Sequence, residues 1–273
     1  MQRACSVTVV TGAGVSTASG IPEYRDRDGN WKHTQPVQFS DFKNREHVRR
    51  RYWARSFAGW SRVAKAQPND AHLALASLES SGHVDTLITQ NVDGLHHRAG
   101  NRTVIDLHGR LDSVRCLTCD TIVSRIEWQE RLLSANPDWR GHVSDIKPDG
   151  DVQLKENDDA CFQVPECDNC GGTIKPDVVF FGESVPKDRV QAAKNAVARA
   201  GALLVVGSSL MVFSGFRFVR LALEIGKPIA ILNQGRTRAD NIAHLKLDGD
   251  CGEVLAGALQ HLIPTAQSAG PAL

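Results

Sequence analysis

The chain has 273 residues, 41% of them hydrophobic, a formal net charge of +1 and seven cysteines. That length suits one sizeable α/β domain carrying an insert, and the near-neutral charge gives no reason to expect a nucleic-acid or membrane-surface partner. No apolar run approaches the roughly 18 residues of a transmembrane span, and an odd cysteine count with no leader-like start favours a reducing, cytoplasmic setting over a disulfide framework.

The first element is a strand over residues 7–10, feeding the glycine turn of "TGAGVSTASG". Gly12 and Gly14 let a backbone turn tightly and approach a pyrophosphate, with amides at the following helix start as donors. A dehydrogenase fingerprint would need a third glycine at Thr17 and, about 20 residues on, a second strand ending in an acid. Residues 23–43 contain no such strand, so simple hydride transfer loses ground. Residues 37–67 read as helical, with Trp53, Phe57, Trp60 and Ala64 on one face and six Arg and Lys residues around the others, a core stripe under a solvated basic face. A helix carrying Ala71, Leu75 and Leu78 follows a Pro-Asn-Asp start.

"VDTLITQ", "TVIDLHG", "DVVFFGE", "ALLVVGS", "PIAILNQ" and "HLKLDG" read as further strands, Val/Ile/Leu-rich with little alternation, as in a sheet buried on both faces. "PKDRVQAAKNAVARAG" reads as a helix from a proline to Gly201. The expected fold class is α/β: a doubly wound, Rossmann-like parallel sheet. Its expected segments are residues 1–36, 68–112 and 177–263, with a helical module at 37–67, a metal-binding insert at 113–176 and a disordered tail at 264–273.

The insert holds two Cys-x-x-Cys knuckles, Cys116/Cys119 and Cys167/Cys170, separated by 47 residues. Two such knuckles complete a tetrahedral four-thiolate site with no open position, which suits one structural zinc ion rather than a catalytic one. A redox pair would sit at a helix start after a strand, which neither pair clearly does, and the five-residue gap from Cys161 to Cys167 fits a knuckle poorly. Cys5 and Cys251 read as ordinary core or near-site residues. Polar clusters then stand where strands end: Gln90, Asn91 and Asp93; His108; Gly207, Ser208 and Ser209; Asn233 and Gly235. One cluster could be a turn; four argue for a single crevice.

"GAGVSTASGIPEYR", "TQNVDGLH", "LHG", the paired knuckles, "PDVVFFGE", "GSSLMV" and "ILNQG" run in the order of the sirtuin family, the NAD-dependent protein-lysine deacylases, over about residues 7–262. "RRRYWARSF", "PDGDV" and "FQVPEC" most resemble the class II branch, which includes the mitochondrial sirtuin-4 type. Tyr24 departs from the family's usual Phe and keeps the ring.

The resemblance implies that NAD is consumed rather than reduced. Nicotinamide leaves C1′, the acyl oxygen of a modified lysine attacks there, and a base takes a proton from a ribose hydroxyl. His108 is implied as that base, since the ordinary pKa of a histidine lies near the working pH. Ala13 and Ser16 would line the phosphates, and Ile21, Pro22, Tyr24 and Arg25 would close over the nicotinamide side. Asn91 and Asp93 would hold the carboxamide and Gln90 the ribose, with Ser208, Ser209, Asn233, Gly235 and Cys251 at the adenosine end.

Acylated-lysine polypeptides are the implied partners. They would add as a strand between Val179, Phe181, Gly182 and Glu183 on one side and the segment from Val212 to Gly215 on the other. Tyr52 and Arg55 resemble the pair that holds an acidic acyl group in desuccinylating relatives, although Arg55 also sits in a run that could simply be solvated. The alternative reading is protein mono-ADP-ribosyl transfer on the same fold. A non-catalytic, NAD-sensing zinc module is the rival from another class.

Overall fold

The computed structural model describes residues 6–32, 36–141, 143–146, 152–154 and 158–262. The expected tail, Cys5 and most of "PDGDV" lie outside the described residues. In chain order the elements are β1 (Val7–Thr11), α1 (Phe39–Asn44), α2 (Glu46–Lys65), α3 (Asp70–Ser80), β2 (Val84–Thr89), α4 (Leu95–Ala99) and β3 (Val104–Asp106). Then come β4 (Gly109–Cys116), β5 (Ile122–Ser124), α5 (Arg125–Ala135), β6 (Val143–Ile146), β7 (Val152–Leu154) and β8 (Ile174–Val178). The chain closes with α6 (Lys187–Arg199), β9 (Ala202–Val206), α7 (Phe213–Glu224), β10 (Ile229–Leu232), β11 (Leu245–Leu247) and α8 (Cys251–Leu262).

The main sheet is parallel, six strands in the order β11-β10-β9-β1-β2-β3. Successive residues of β1 face opposite ways, and both faces are covered. Val9 joins Leu87, Leu75 of α3 and Leu255 of α8 on one side. Val10 joins Ile88, Val197 of α6 and Phe218 of α7 on the other. That double burial is why the strands read as continuous apolar runs. The chain leaves β1 toward β2 and β3, then returns to the other side of β1 for β9, β10 and β11. The order reverses between β1 and β9, and ligands of such sheets bind at the C-terminal ends of the strands there.

One expected strand is misplaced. The apolar run "DVVFFGE" belongs to the parallel sheet in the sequence reading, but the strand is Ile174–Val178 and pairs antiparallel with β4 in a separate sheet, β5-β4-β8. Residues beyond Val178 leave the ladder: Glu183 N–H returns to the Phe180 carbonyl at 3.0 Å, and Gly182 has φ +79°. The expected module limits at 112/113 and 176/177 therefore cut through β4 and β8.

The knuckle sheet and the helices at 39–65 share one core. Trp53 stacks edge-on to Trp128, its indole N–H donates to the Ile174 carbonyl at 3.2 Å, and Phe42, Val114 and Phe162 join them. The buried residues of α2 are Tyr52, Trp53, Ala54, Ser56, Gly59 and Val63, with Phe57 and Trp60 packed against the same core, so the expected stripe is right at Trp53, Phe57 and Trp60 and wrong at Ala64, which is exposed. Arg125 is fully buried here, its guanidinium 4.6 Å from the Trp60 ring and bonded to the Ser56 carbonyl at 3.2 Å. Helix α6 runs to Arg199, with Ala200 as its C-cap and the expected glycine, Gly201, directly after it.

The helix start expected after the glycine turn is made of two short 3-10 turns, Ala13–Val15 and Thr17–Ser19. The Gly12 and Gly14 amides are already bonded to the carbonyls of Val206 and Gly207, at 3.3 and 2.9 Å. These glycines serve the close approach of two backbones. A Cβ on Gly14 would lie 2.9 Å from the Gly207 carbonyl oxygen, and one on Gly207 (φ +58°) would lie 2.5 Å from Val15 N. Gly207→Ala adds left-handed strain to that clash, a cost of about 1–3 kcal/mol or more. Thermal melting is expected to show its Tm lowered by about 2–12 °C.

Candidate active site

A cavity of about 840 Å3 opens at the β1/β9 reversal. Its walls are the turn after β1, the loop after β2, the end of β3, the segment after β8, the turn after β9 and the first turn of α7. Gly12, Ala13, Gly14, Ser16, Ile21, Tyr24 and Arg25 line it from the first turn; Gln90, Asn91, Asp93 and His108 from the loops after β2 and β3; Gly207, Ser208, Ser209 and Asn233 from the far side. Tyr52, Val179, Phe181, Gly182, Glu183 and Val212 complete the opposite wall. Four expected site residues, Pro22, Arg55, Gly235 and Cys251, lie outside this lining. Gly235 (φ +82°) instead packs on another backbone, where a Cβ would lie 2.4 Å from the Arg27 carbonyl oxygen. Burial pushes the Cys251 thiol up to about 11.

His108 is fixed at both ring nitrogens. Nδ1 lies 2.9 Å from the Gln90 carbonyl oxygen and Nε2 lies 2.7 Å from Ser214 Oγ. A carbonyl only accepts, so Nδ1 carries the proton and donates. Nε2 therefore presents its lone pair, accepting from the Ser214 hydroxyl. Burial, with a smaller contribution from the charges of Arg217 and Arg189, pushes His108 down to about 4, and the bond to Gln90 opposes this. At neutral pH the ring is an uncharged acceptor.

A second polar cluster joins three loops. Ser16 Oγ donates to Asp93 Oδ2 at 2.7 Å and accepts from Asn91 Nδ2 at 3.0 Å. Asn91 Nδ2 also reaches the Gly12 carbonyl at 3.0 Å, and Asp93 Oδ1 takes the Leu95 amide at 2.8 Å. Burial raises the Asp93 pKa against these bonds. The cluster contains a member that sequence reading missed: His72, with Nε2 3.4 Å from Ser16 Oγ. His72 belongs to the capping box that starts α3 on Asn69, and its ring lies 4.8 Å from that of His96. The spacing Asn69-x-x-His72 is the one signal that could have pointed to it. Ser214 had no such signal, being 106 residues from His108.

Burial pushes His72 down to about 4 and His96 well below its ordinary value. The unfolded chain binds a proton on each near pH 6.5, whereas the folded chain does so on His72 only near pH 4. Between those values the unfolded state holds more protons, so stability falls as pH drops through the window. His72 alone is expected to cost about 2 kcal/mol between pH 7 and pH 5. Urea unfolding at both pH values tests this: His72→Gln should remove about that much of the pH dependence.

The segment after β8 is braced from below. Glu183 Oε2 takes the Phe180 amide at 2.8 Å and the buried Lys175 ammonium at 3.2 Å, so this carboxylate is engaged within the turn. The Phe181 carbonyl accepts from the Phe39 amide at 2.8 Å, tying the segment to α1. Phe181 also meets Tyr24 and Trp31 edge-on, and the Arg25 guanidinium lies 4.0 Å from the Trp31 ring centroid. Across the cavity, Val212 is extended, but Phe213 to Gly215 open α7. The expected strand edge from Val212 to Gly215 is thus confined to its first residue, because helical amides point along the helix axis.

Far from this cavity, the sulfurs of Cys116, Cys119, Cys167 and Cys170 all lie within 4.8 Å of one another, with Cys116–Cys170 at 3.6 Å and Cys119–Cys167 at 3.7 Å. A tetrahedron of thiolates around zinc, at Zn–S of about 2.3 Å, has edges of about 3.8 Å. The four cysteines are positioned to bind a structural zinc. Cys161 is exposed and outside the group.

The profile of the Sir2 family matches residues 12–214. A protein of Bradyrhizobium diazoefficiens named NAD-dependent protein deacetylase 2 is 56% identical over 248 residues, covering 91% of each chain. The Bos taurus protein named NAD-dependent protein lipoamidase sirtuin-4, mitochondrial, is 49% identical over 250 residues, 90% of this chain and 79% of that one. Among solved structures, a Sir2–p53 peptide–NAD+ complex superposes with a TM-score of 0.76 at 31% identity, covering 94% of this chain and 92% of the other. A family profile over most of the chain and relatives above half identity agree with the cavity at the sheet reversal and with the cysteine quartet: this chain belongs to the Sir2 family.

Proposed function

We propose that the chain is an NAD-dependent protein-lysine deacylase, which moves the acyl group of a modified lysine to ADP-ribose and releases nicotinamide. The observation that carries this reading is the uncharged His108, with its Nε2 lone pair free of a proton in the wall of the cavity at the sheet reversal. A volume of about 840 Å3 with polar groups gathered at strand ends suits a dinucleotide plus one lysine side chain. Bound NAD supplies a ribose carbon made electrophilic as its bond to nicotinamide breaks.

The residues divide the remaining work. His108 Nε2 takes a ribose hydroxyl proton in the place now held by Ser214. Ser16, held by Asn91 and Asp93, faces the phosphate side with Ala13; Ile21, Tyr24 and Arg25 close over the nicotinamide side, and Asn91 and Asp93 take the carboxamide. Gln90 faces the ribose, and Ser208, Ser209 and Asn233 the adenosine end. The extended lysine-bearing chain lies between Gly182 and Val212. A reducing compartment, the cytoplasm, suits a chain whose knuckles need free thiolates. No described helix is long and apolar enough to cross a membrane.

The test is a panel of acyl-lysine peptides with NAD, reading nicotinamide and O-acyl-ADP-ribose by mass spectrometry, for the intact protein and His108→Ala. A modified protein with no O-acyl-ADP-ribose would turn the reading toward ADP-ribosyl transfer. The panel also settles acyl preference. Tyr52 lines the cavity but Arg55 does not. Arg55→Met is accordingly expected to leave the ratio of desuccinylation to deacetylation within about twofold of wild type, well below the tenfold that loss of a charge-assisted bond would give.

A further inference from the structure

One wing of the cavity is not used by any role given above. It lies between the start of α6 and the start of α7, beyond His108 and Ser214, and is lined by Lys187, Gln191, Lys194, Phe213 and Arg217. Three of these five side chains are cationic. None of the three forms an ion pair with any described residue. Among the carboxylates of the lining, Glu183 is already engaged with Lys175 and the Phe180 amide.

Arg217 is the group that points to a ligand. Its Nε is buried and has no hydrogen-bond partner among the described residues. Its guanidinium carbon lies 5.3 Å from the Phe213 ring centroid, which helps to fix its plane. A buried N–H left unpaired costs about 1–3 kcal/mol, and with no hydrogen bond or ion pair to a described residue the guanidinium keeps its terminal N–H groups for an acceptor in the cavity. The guanidinium fork matches a carboxylate better than any other common protein group. Next to it, Phe213 is 47% exposed and Val212 is 36% exposed, an uncovered apolar rim at the cavity mouth.

The occupant follows from the geometry of an extended chain. The acylated lysine points inward toward His108. In an extended peptide, alternate side chains point the same way, about 6.6–6.8 Å apart along the chain. The residues two places from the lysine therefore also point into the cavity, while its immediate neighbours point away. We propose that the Arg217–Lys187–Lys194 wing is a subsite for an Asp or Glu side chain that the substrate polypeptide carries two residues from its acylated lysine. This rests on the deacylase reading and adds a sequence preference to it.

The test measures Kd by fluorescence anisotropy, and kcat/KM by nicotinamide release, for acetyl-lysine peptides with Glu, Gln or Lys at each position two residues away. A succinyl-lysine peptide with neutral flanks is the added arm. Glu at one of the two positions should bind about tenfold more tightly than Gln, with the advantage shrinking at higher salt. Arg217→Gln should reduce that ratio to within about twofold, and Arg217→Glu should favour the Lys peptide. Lys194→Glu, an exposed change, should weaken the preference without loss of fold. Because the Glu:Gln ratio is compared within each variant, any effect of Arg217 on His108 cancels.

An equal Glu:Gln ratio in wild type and Arg217→Gln overturns the subsite even when the neutral peptide is deacylated. Dependence on Arg217 that appears only with succinyl-lysine also overturns it, assigning the wing to the acyl group. Failure to deacylate any peptide overturns the parent reading and this one with it.

Discussion

His108→Ala is expected to lower kcat by about 100- to 10,000-fold, the range for removing a positioned general base, or about 3–5 kcal/mol of transition-state stabilisation. The reason is local. Because the Gln90 carbonyl fixes the Nδ1 proton, only Nε2 can accept, and it faces the cavity with the Ser214 hydroxyl as its present partner. Burial holds the ring near 4, so it remains unprotonated across the neutral range. The pH profile follows in sign: kcat/KM should stay flat from neutral pH to about 5 and fall below that as His108 gains a proton. The residual activity of His108→Ala should lack that acid limb. A wild-type limb centred near 6.5 would show instead that the ring titrates as if exposed.

Removal of zinc is the second large effect. The expected stoichiometry is one ion per chain, lost with a strong chelator or with Cys167→Ser. The Tm should then fall by about 10 °C or more, since structural zinc contributes several kcal/mol and each is worth about 2–4 °C in a chain of this size. Activity should fall with it, although the metal takes no part in the chemistry. Strand β4 runs from Gly109, next to His108, to Cys116; β8 runs from Ile174, just past Cys170, to Val178; and the Val179 amide holds the His108 carbonyl at 2.7 Å. The knuckles thus clamp one end of two strands whose other ends set the catalytic ring, about 20 Å away. A closed set of four thiolates leaves no position for substrate, so cadmium in place of zinc should leave kcat unchanged. A large change in kcat would mean that the site is not closed.

Elements whose signal is local were legible in the sequence. The buried run of β1, the Pro-Asn-Asp start of α3 and the two knuckles all follow from short-range patterns, and the structure has them where those patterns lie. Clusters at strand ends were legible because a parallel sheet gathers its C-terminal loops. What failed needed knowledge of neighbours. The run "DVVFFGE" is apolar, but its second half turns away through Gly182 and the Glu183 brace, so hydrophobicity alone could not place it. Gly12 and Gly14 line the cavity as their turn suggests, but that they also pack against Gly207, nearly 200 positions on, is something no window of sequence contains. His72, Ser214 and Arg217 are ordinary residues on helices, and only the packing of those helices brings Ser214 and Arg217 to the cavity and His72 to Ser16 behind its wall.

The bracing of Phe181 has a further consequence. Its carbonyl already serves Phe39, and both backbone groups of Phe180 are occupied by Glu183, through the carboxylate and the amide. Phe181 is also held in a parallel bridge to Gln38, so of Phe180, Phe181 and Gly182 it is Gly182 that takes no main-chain bond to a described residue and has groups to offer a visitor. Grip on the visiting polypeptide's spine is therefore brief, about one rung of a ladder on this flank, and lengthening a test peptide along it should improve capture only when the added side chains find something to hold.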